Sequence, residues 1–225
     1  MRTLRRTDFA WEFLRRNERY RRAAEADASG REVSPGRWGL QFFADPSEAD
    51  SRTSVFWRPE AAPNHVIRLR PSDCGAGFRL EDVVEILAQR REPGGVHLKL
   101  SGGLQAFIEG GEQHGSLAVI VPLSGTFSAA LKGVAELERV IRGGAPCDDL
   151  TAQQQRRLQR ALRALDGAQN RATYRQIATE IFGQEAVDRY DWRTSSVRDA
   201  AIRLVRTGRG LSNGGYIRLL GGVVA

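Results

Sequence analysis

Three helix-start signals punctuate the last third of this chain and constrain its fold more than any other feature. Thr151-Ala152-Gln153-Gln154 and Thr173-Tyr174-Arg175-Gln176 both have T-x-x-Q spacing, and Thr194-Ser195-Ser196 is a third capping cluster. In a capping box the threonine hydroxyl accepts from the amide three residues on, and the glutamine side chain reaches back to the threonine amide. Behind each signal, apolar residues recur at helical spacing. The sets are Leu158, Ala161, Leu162 and Leu165; Ile177, Ala178 and Ile181; and Val197, Ala201, Leu204 and Val205. Asp166-Gly167 and Gly183 read as stops for the first two helices, and Gly208 or Gly210 for the third. Residues 184–192 read as a short helix or an ordered connection. Asn213-Gly214-Gly215 reads as a hairpin turn between Leu211-Ser212 and Tyr216-Ile217-Arg218-Leu219.

Helix, short helix, longer helix and hairpin is the order of a winged helix-turn-helix, in which the last helix enters the major groove. The stretch from Gly183 to Thr194 is longer than a tight turn, which makes this a variant. Charge agrees with the assignment. The chain of 225 residues carries a net +7, and residues 151–225 hold thirteen arginines against six acidic residues, the entire excess. Residues 1–150 are neutral, so the positive charge is that of a polyanion-binding module at one end of the chain. Arginine accounts for 32 of the 34 basic residues, which compositional bias explains; its confinement to one segment needs another reason.

Taking Val197 as the centre of the buried stripe, Ala201, Leu204, Val205 and Gly208 fall within about 80° of it. Ser195, Asp199, Ile202, Arg203 and Arg206 then share the opposite face, with Arg198 at its edge. Arginine grips guanine or phosphate, while serine and threonine reach phosphates and base edges. The capped start of the preceding helix offers free N–H groups to a phosphate. The candidate DNA-binding residues are therefore Thr173, Tyr174, Arg175, Arg193, Thr194, Ser195, Ser196, Arg198, Arg203 and Arg206, with Arg218 on the expected wing. The bland alternative is that these arginines merely solvate a helix face.

Upstream, a helix is expected from Thr7 through Tyr20, with Phe9, Phe13 and Tyr20 at helical offsets and Arg15, Arg16, Arg19, Arg21 and Arg22 on its other side. Aromatic runs at 38–43 and 55–59 and a strand at 65–69 complete a small unit. Leu80, Val83, Val84 and Leu87 form a helical stripe. Val96, Leu98 and Leu100 alternate with His97 and Lys99, which places His97 on an exposed face. Ser101-Gly102-Gly103 turns the chain into Leu104, Ala106 and Ile108, Leu117–Val121 adds a strand, and a helix spans about 127–142. A linker is placed at Gly143-Gly144-Ala145-Pro146.

The fold class is thus α+β: a small N-terminal α/β regulator-like domain (1–72), a β-hairpin and helix block (73–150), and the helix-turn-helix variant (151–225). A chain beginning at about residue 73 is expected to fold and to bind DNA weakly.

Other function classes find little support. His65, His97 and His114 lack metal-ligand spacing. Cys74 and Cys147 lie in Gly/Pro-flanked loops with no histidine nearby, and no Gly-Gly pair sits in a phosphate-cradling motif. Asp148-Asp149 fits a helix start better than a metal site. The chain is not expected to be an enzyme or to need a cofactor or metal. With no secretory or membrane-spanning run, a cytoplasmic, nucleoid-associated location is expected.

The residues also resemble a known family. Leu165-Asp166-Gly167, Tyr174-Arg175-Gln176-Ile177-Ala178, Phe182-Gly183, Trp192–Asp199, Ile202-Arg203-Leu204-Val205 and Gly214-Gly215-Tyr216 resemble a domain of proteobacterial conjugative-element regulators long catalogued as of unknown function. Trp11–Asn17 with Tyr20, Arg37-Trp38-Gly39-Leu40 and Phe56–Glu60 resemble the small regulator-like domain that precedes it in the activators. The resemblance implies a sequence-specific activator of excision and conjugative-transfer genes of an integrative mobile element. Its implied partners are double-stranded promoter DNA, RNA polymerase and a small antiactivator protein, with no membrane. Two alternatives stay open: a protein-binding antiactivator of the same family, and a non-specific or replication-associated DNA-binding protein.

Overall fold

The computed structural model describes residues 4–48, 55–73, 79–110, 116–144 and 150–222. Cys74, Cys147, His114, Asp148-Asp149 and the linker residues Ala145 and Pro146 lie outside the described residues. The chain is α+β, as expected.

The N-terminal stretch forms two helices rather than one, α1 (Arg6–Leu14) and α2 (Glu18–Ala28). Asn17 makes the break. Its Oδ1 accepts from the amides of Arg19 (2.9 Å) and Tyr20 (3.1 Å), so it caps a new helix where helical spacing alone suggests continuation. Thr7, the expected cap, lies inside α1, and Asp8 instead accepts from the Arg5 amide at 2.9 Å. A 3-10 turn at Pro35–Trp38 follows, and Leu40 and Trp57 form an isolated antiparallel bridge.

The centre of the chain is a five-stranded sheet with β1 (Val66–Pro71), β2 (Ile86–Glu92), β3 (Gly95–Leu100), β4 (Gln105–Glu109) and β5 (Leu117–Ile120) in the order β2-β3-β4-β1-β5. Among the described residues, β1 and β4 pair in parallel and the other pairs are antiparallel. The expected helical stripe from Leu80 shrinks to a single turn, α3 (Leu80–Val83). Beyond it Val84 is extended and β2 pairs with β3, because β-branched residues at 83, 84 and 86 suit a pleated surface better than a helix. Ile67, Leu69, Val96, Leu98, Ala106 and Ile108 pack with Leu137 and Val140 of α4 (Phe127–Ile141).

The opposite face of the sheet is covered too. His97 is 3% exposed, stacked on Phe107 at 4.4 Å and edge-on to Phe42 and Phe56, with Nε2 2.9 Å from Glu92 Oε1. Alternation correctly identifies the strand but misassigns His97 as exposed, since period two cannot reveal a sheet sandwiched on both sides.

The last third contains α5 (Ala152–Gln169), α6 (Tyr174–Phe182), α7 (Gln184–Asp188) and α8 (Ser196–Ser212). Among the described residues no wing hairpin forms. Helix α8 continues through Gly208 and Gly210, and Gly215–Leu220 winds into a 3-10 turn after Gly214, at φ +111°. A four-residue period puts Tyr216 and Leu220 into the core, where Tyr216 donates its hydroxyl to the Trp38 carbonyl at 2.9 Å.

The two ends of the chain share one core. Phe9, Phe13, Leu14, Tyr20, Trp38, Leu40 and Trp57 pack with Ala161, Leu162, Leu165, Tyr216 and Leu220. Polar groups fasten the junction: Arg16 Nε and Nη2 meet the two Asp166 carboxylate oxygens at 2.5 and 3.0 Å, and Asn17 Nδ2 donates to the Ser212 carbonyl at 2.8 Å. A chain starting at residue 73 would lack β1, which lies between β4 and β5, and every N-terminal partner of α5. That fragment has no complete core, contrary to the expectation that it folds.

Two consequences are measurable. Asn17→Ala removes a cap and strands a buried carbonyl, so it should cost about 2–4 kcal/mol in urea unfolding. Asn17→Ser retains an acceptor for the cap and should lose roughly half of that.

His65 supplies the second. Burial, with Arg6 and Arg5 nearby, outweighs Glu136 and lowers its pKa to about 4 from the ordinary 6.5. The unfolded chain therefore takes up a proton that the folded chain refuses. Stability should be full above pH 6.5 and fall by up to about 1.4 kcal/mol per pH unit down to about pH 4. Unfolding titrations at pH 7 and 5 should show this loss, and His65→Gln should flatten it.

Candidate nucleic-acid interface

Both capping boxes close as the sequence spacing requires. Thr151 Oγ1 accepts from the Gln154 amide at 3.2 Å, and Gln154 Oε1 accepts from the Thr151 amide at 2.9 Å. The Thr173–Gln176 pair repeats this at 3.3 and 2.8 Å. These bonds satisfy amides that a helix start leaves open and fix where α5 and α6 begin.

Helix α8 is held against α5 and α6 by two small apolar clusters, Ala164, Ile177 and Val205 in one and Ala178, Val187 and Ala201 in the other. Val187 comes from α7, so the long stretch between α6 and α8 is a built spacer. Gly208 marks the closest approach: a Cβ there would sit 2.6 Å from the Ala161 carbonyl oxygen and 2.9 Å from Leu165 Cβ. Glycine at this position is required for packing and does not end the helix.

Most of the expected site residues surround this three-helix unit. Thr173, Tyr174 and Arg175 are exposed at the start of α6, and Arg193, Thr194 and Ser196 are exposed before or at the start of α8. Arg203 and Arg206 are exposed on α8, and neither meets a carboxylate among the described residues. Two other arginines are already engaged. Arg175 Nη2 lies 3.0 Å from Asp188 Oδ1, and Arg198, half-buried, lies 3.4 Å from Asp199 Oδ1. Hydrogen bonds from Gln184 and Arg175 hold the Asp188 carboxyl below the usual carboxylate range.

Two residues do not fit the expected roles. Ser195 is 3% exposed, and its Oγ accepts from the Val197 amide at 3.1 Å, so it is the α8 cap and has no surface to offer DNA. Arg218 is exposed, but it lies on the 3-10 turn that packs against α1, not on a wing. The sequence reading also missed Arg171 and Arg209. Arg171 sits at φ +60° in the turn between α5 and α6, and Arg209 is on the last turn of α8. Placing the end of the helix at Gly208 or Gly210 put Arg209 at its margin, whereas a helix carried to Ser212 places that residue beside Arg206.

A capped three-helix unit whose last helix exposes unpaired arginines is the architecture of a DNA-binding regulator. Comparison with known families agrees: residues 120–221 match the model described as "T6SS, Transcription factor, DNA binding domain", and residues 1–43 match the "Proteobacterial transcriptional regulator-like domain". The chain is therefore a DNA-binding transcriptional regulator. Neither description names a conjugative or integrative element. No curated protein matches the chain. Among the described residues, no helix is long and apolar enough to cross a membrane.

The roles of the two serines can be separated. Ser195→Ala should lower stability by about 1 kcal/mol in thermal or urea unfolding. Ser196→Ala, at an exposed position, should stay within about 0.5 kcal/mol.

Proposed function

We propose that the chain is a sequence-specific transcriptional activator that places α8 in the major groove. The observation that carries this reading is the exposed face of α8, where Arg203 and Arg206 have no carboxylate partner among the described residues. Cationic side chains left uncompensated on a rigid helix are available to phosphate and to guanine edges. The start of α6 serves as a phosphate anchor, with exposed Thr173 and Tyr174. Arg175 and Arg198 contribute less, since a neighbouring carboxylate already compensates part of the charge of each.

Two sets of target genes have support. The resemblance described above favours excision and transfer genes of an integrative mobile element, with RNA polymerase and a small antiactivator as protein partners. The match over residues 120–221 favours genes connected with T6SS. Sequencing genomic fragments recovered with the full chain decides between them, and a reporter on the recovered promoter reads activation.

Binding to the recovered duplex should weaken steeply with salt. Neutralising about five phosphates gives a slope of log K against log salt of about −4 to −5. Arg203→Ala or Arg206→Ala should cost about 1–3 kcal/mol if it reads a base, and Arg175→Ala should cost less. A slope near zero, with tight binding of a protein partner instead, would favour the antiactivator reading. Equal affinity for recovered and scrambled duplexes would favour a non-specific DNA-binding protein.

A further inference from the structure

At the junction of the two ends of the chain is a cleft of about 1150 Å³, open to solvent. Its walls come from both matched regions: Arg19 and Arg37 from the N-terminal side, Arg171 and Arg209 from the helices of the last third. All four are exposed, and none meets a carboxylate among the described residues. Two carboxylates line it as well, Glu18 and Glu60, each paired with an arginine outside the wall, Arg22 at 3.8 Å and Arg58 at 3.5 Å. Arg16, also in the wall, is neutralised by Asp166 and Glu12.

Four arginines without a carboxylate partner among the described residues therefore share one concave surface with two carboxylates that are paired to arginines outside it. The C-terminal ends of α5 and α8 also open here and contribute roughly half a negative charge each, about one in all. With those carboxylates compensated by Arg22 and Arg58, the cleft stays net positive, and concave low-dielectric walls focus such a field on an incoming anion. Arg37 lies over the Trp38 ring at 5.1 Å, which holds its guanidinium in place at the rim. The cleft begins at the C-terminal end of α8, the helix that also exposes Arg203 and Arg206.

We infer that this cleft binds the phosphodiester backbone of the same duplex, and that the N-terminal regulator-like region is a DNA-contacting part of the molecule through Arg19 and Arg37. The inference rests on the DNA-binding reading of α8 and adds to it a partner for the N-terminal region. These contacts carry no base information. They fix register on the duplex and raise affinity for every sequence alike.

The experiment uses the full chain with the recovered duplex and a scrambled one, read by fluorescence anisotropy across a salt series. Arg19→Ala/Arg37→Ala should weaken both duplexes by the same factor, about tenfold or more, and reduce the magnitude of the salt slope by about 1.8, for two contacts at about 0.9 each. Arg171→Ala/Arg209→Ala should do the same from the opposite wall. Arg19→Lys/Arg37→Lys keeps the charge and should restore most of the slope, which separates lost charge from lost folding; circular dichroism checks the fold of each variant.

Alanine variants that stay folded and keep the parent's affinity and slope overturn the inference, while Arg203→Ala still weakening the recovered duplex leaves the α8 reading intact. A parent chain that binds no duplex overturns both. Micromolar binding of inorganic phosphate or a nucleoside triphosphate to the parent, lost in the alanine variants without any change in duplex slope, assigns the cleft to a free phosphate ligand and overturns the backbone assignment.

Discussion

The architecture depends on the clasp that residues 16 and 17 make with the last third of the chain. Asn17 performs two jobs with one amide, capping α2 through its oxygen and satisfying the Ser212 carbonyl through its nitrogen. Arg16 meets Asp166 through two nitrogens, a paired geometry that fixes orientation as well as proximity. The break between α1 and α2 thereby becomes the point at which α5 and α8 are gripped. The aromatic core forms around it, with Tyr20 edge-on to both Trp11 and Trp38.

This clasp relates the two matched regions to each other. A helix-turn-helix unit tied by flexible linkers would present its reading helix independently of what precedes it. Here α1 packs on α8 and on the turn that follows it, so the N-terminal region shares a frame with that helix. The sheet lies on the other side of the aromatic loops, which cover its second face and bury His97. Gln105 reaches across to those loops, accepting from the Trp57 amide at 2.9 Å. One continuous packed core therefore supports the arginines of α8 and those of the cleft.

Electrostatics then sorts the arginines by what surrounds them. Those beside a carboxylate, such as Arg175 with Asp188 or Arg163 with Glu180, are partly compensated surface pairs, individually of small energetic consequence. Those without one retain their full field. Composition gives the total charge of the last third, but neighbours decide which of its thirteen arginines remain available to a polyanion. Arg198 illustrates the difference: helical geometry places it at the edge of the exposed face, yet it is half-buried and shares its charge with Asp199.

The starts of α5, α6 and α8, the tight turn between β3 and β4, and the segregation of charge were all determined by the sequence, because each depends on residues within a few positions. A threonine three residues before a glutamine can satisfy the open amides of a helix start using only residues within one turn. The end of α8, the turn at 215–220, the burial of His97 and the second role of Asn17 were decided only by tertiary structure. Gly208 looks like a terminator until Ala161 and Leu165 are seen packed against it. Tyr216 looks like a strand residue until the Trp38 carbonyl claims its hydroxyl. Asn17 and Ser212 are 195 positions apart, and local patterning carries no information across that distance; only the free energy gained by burying both ends of the chain in one core brings them together.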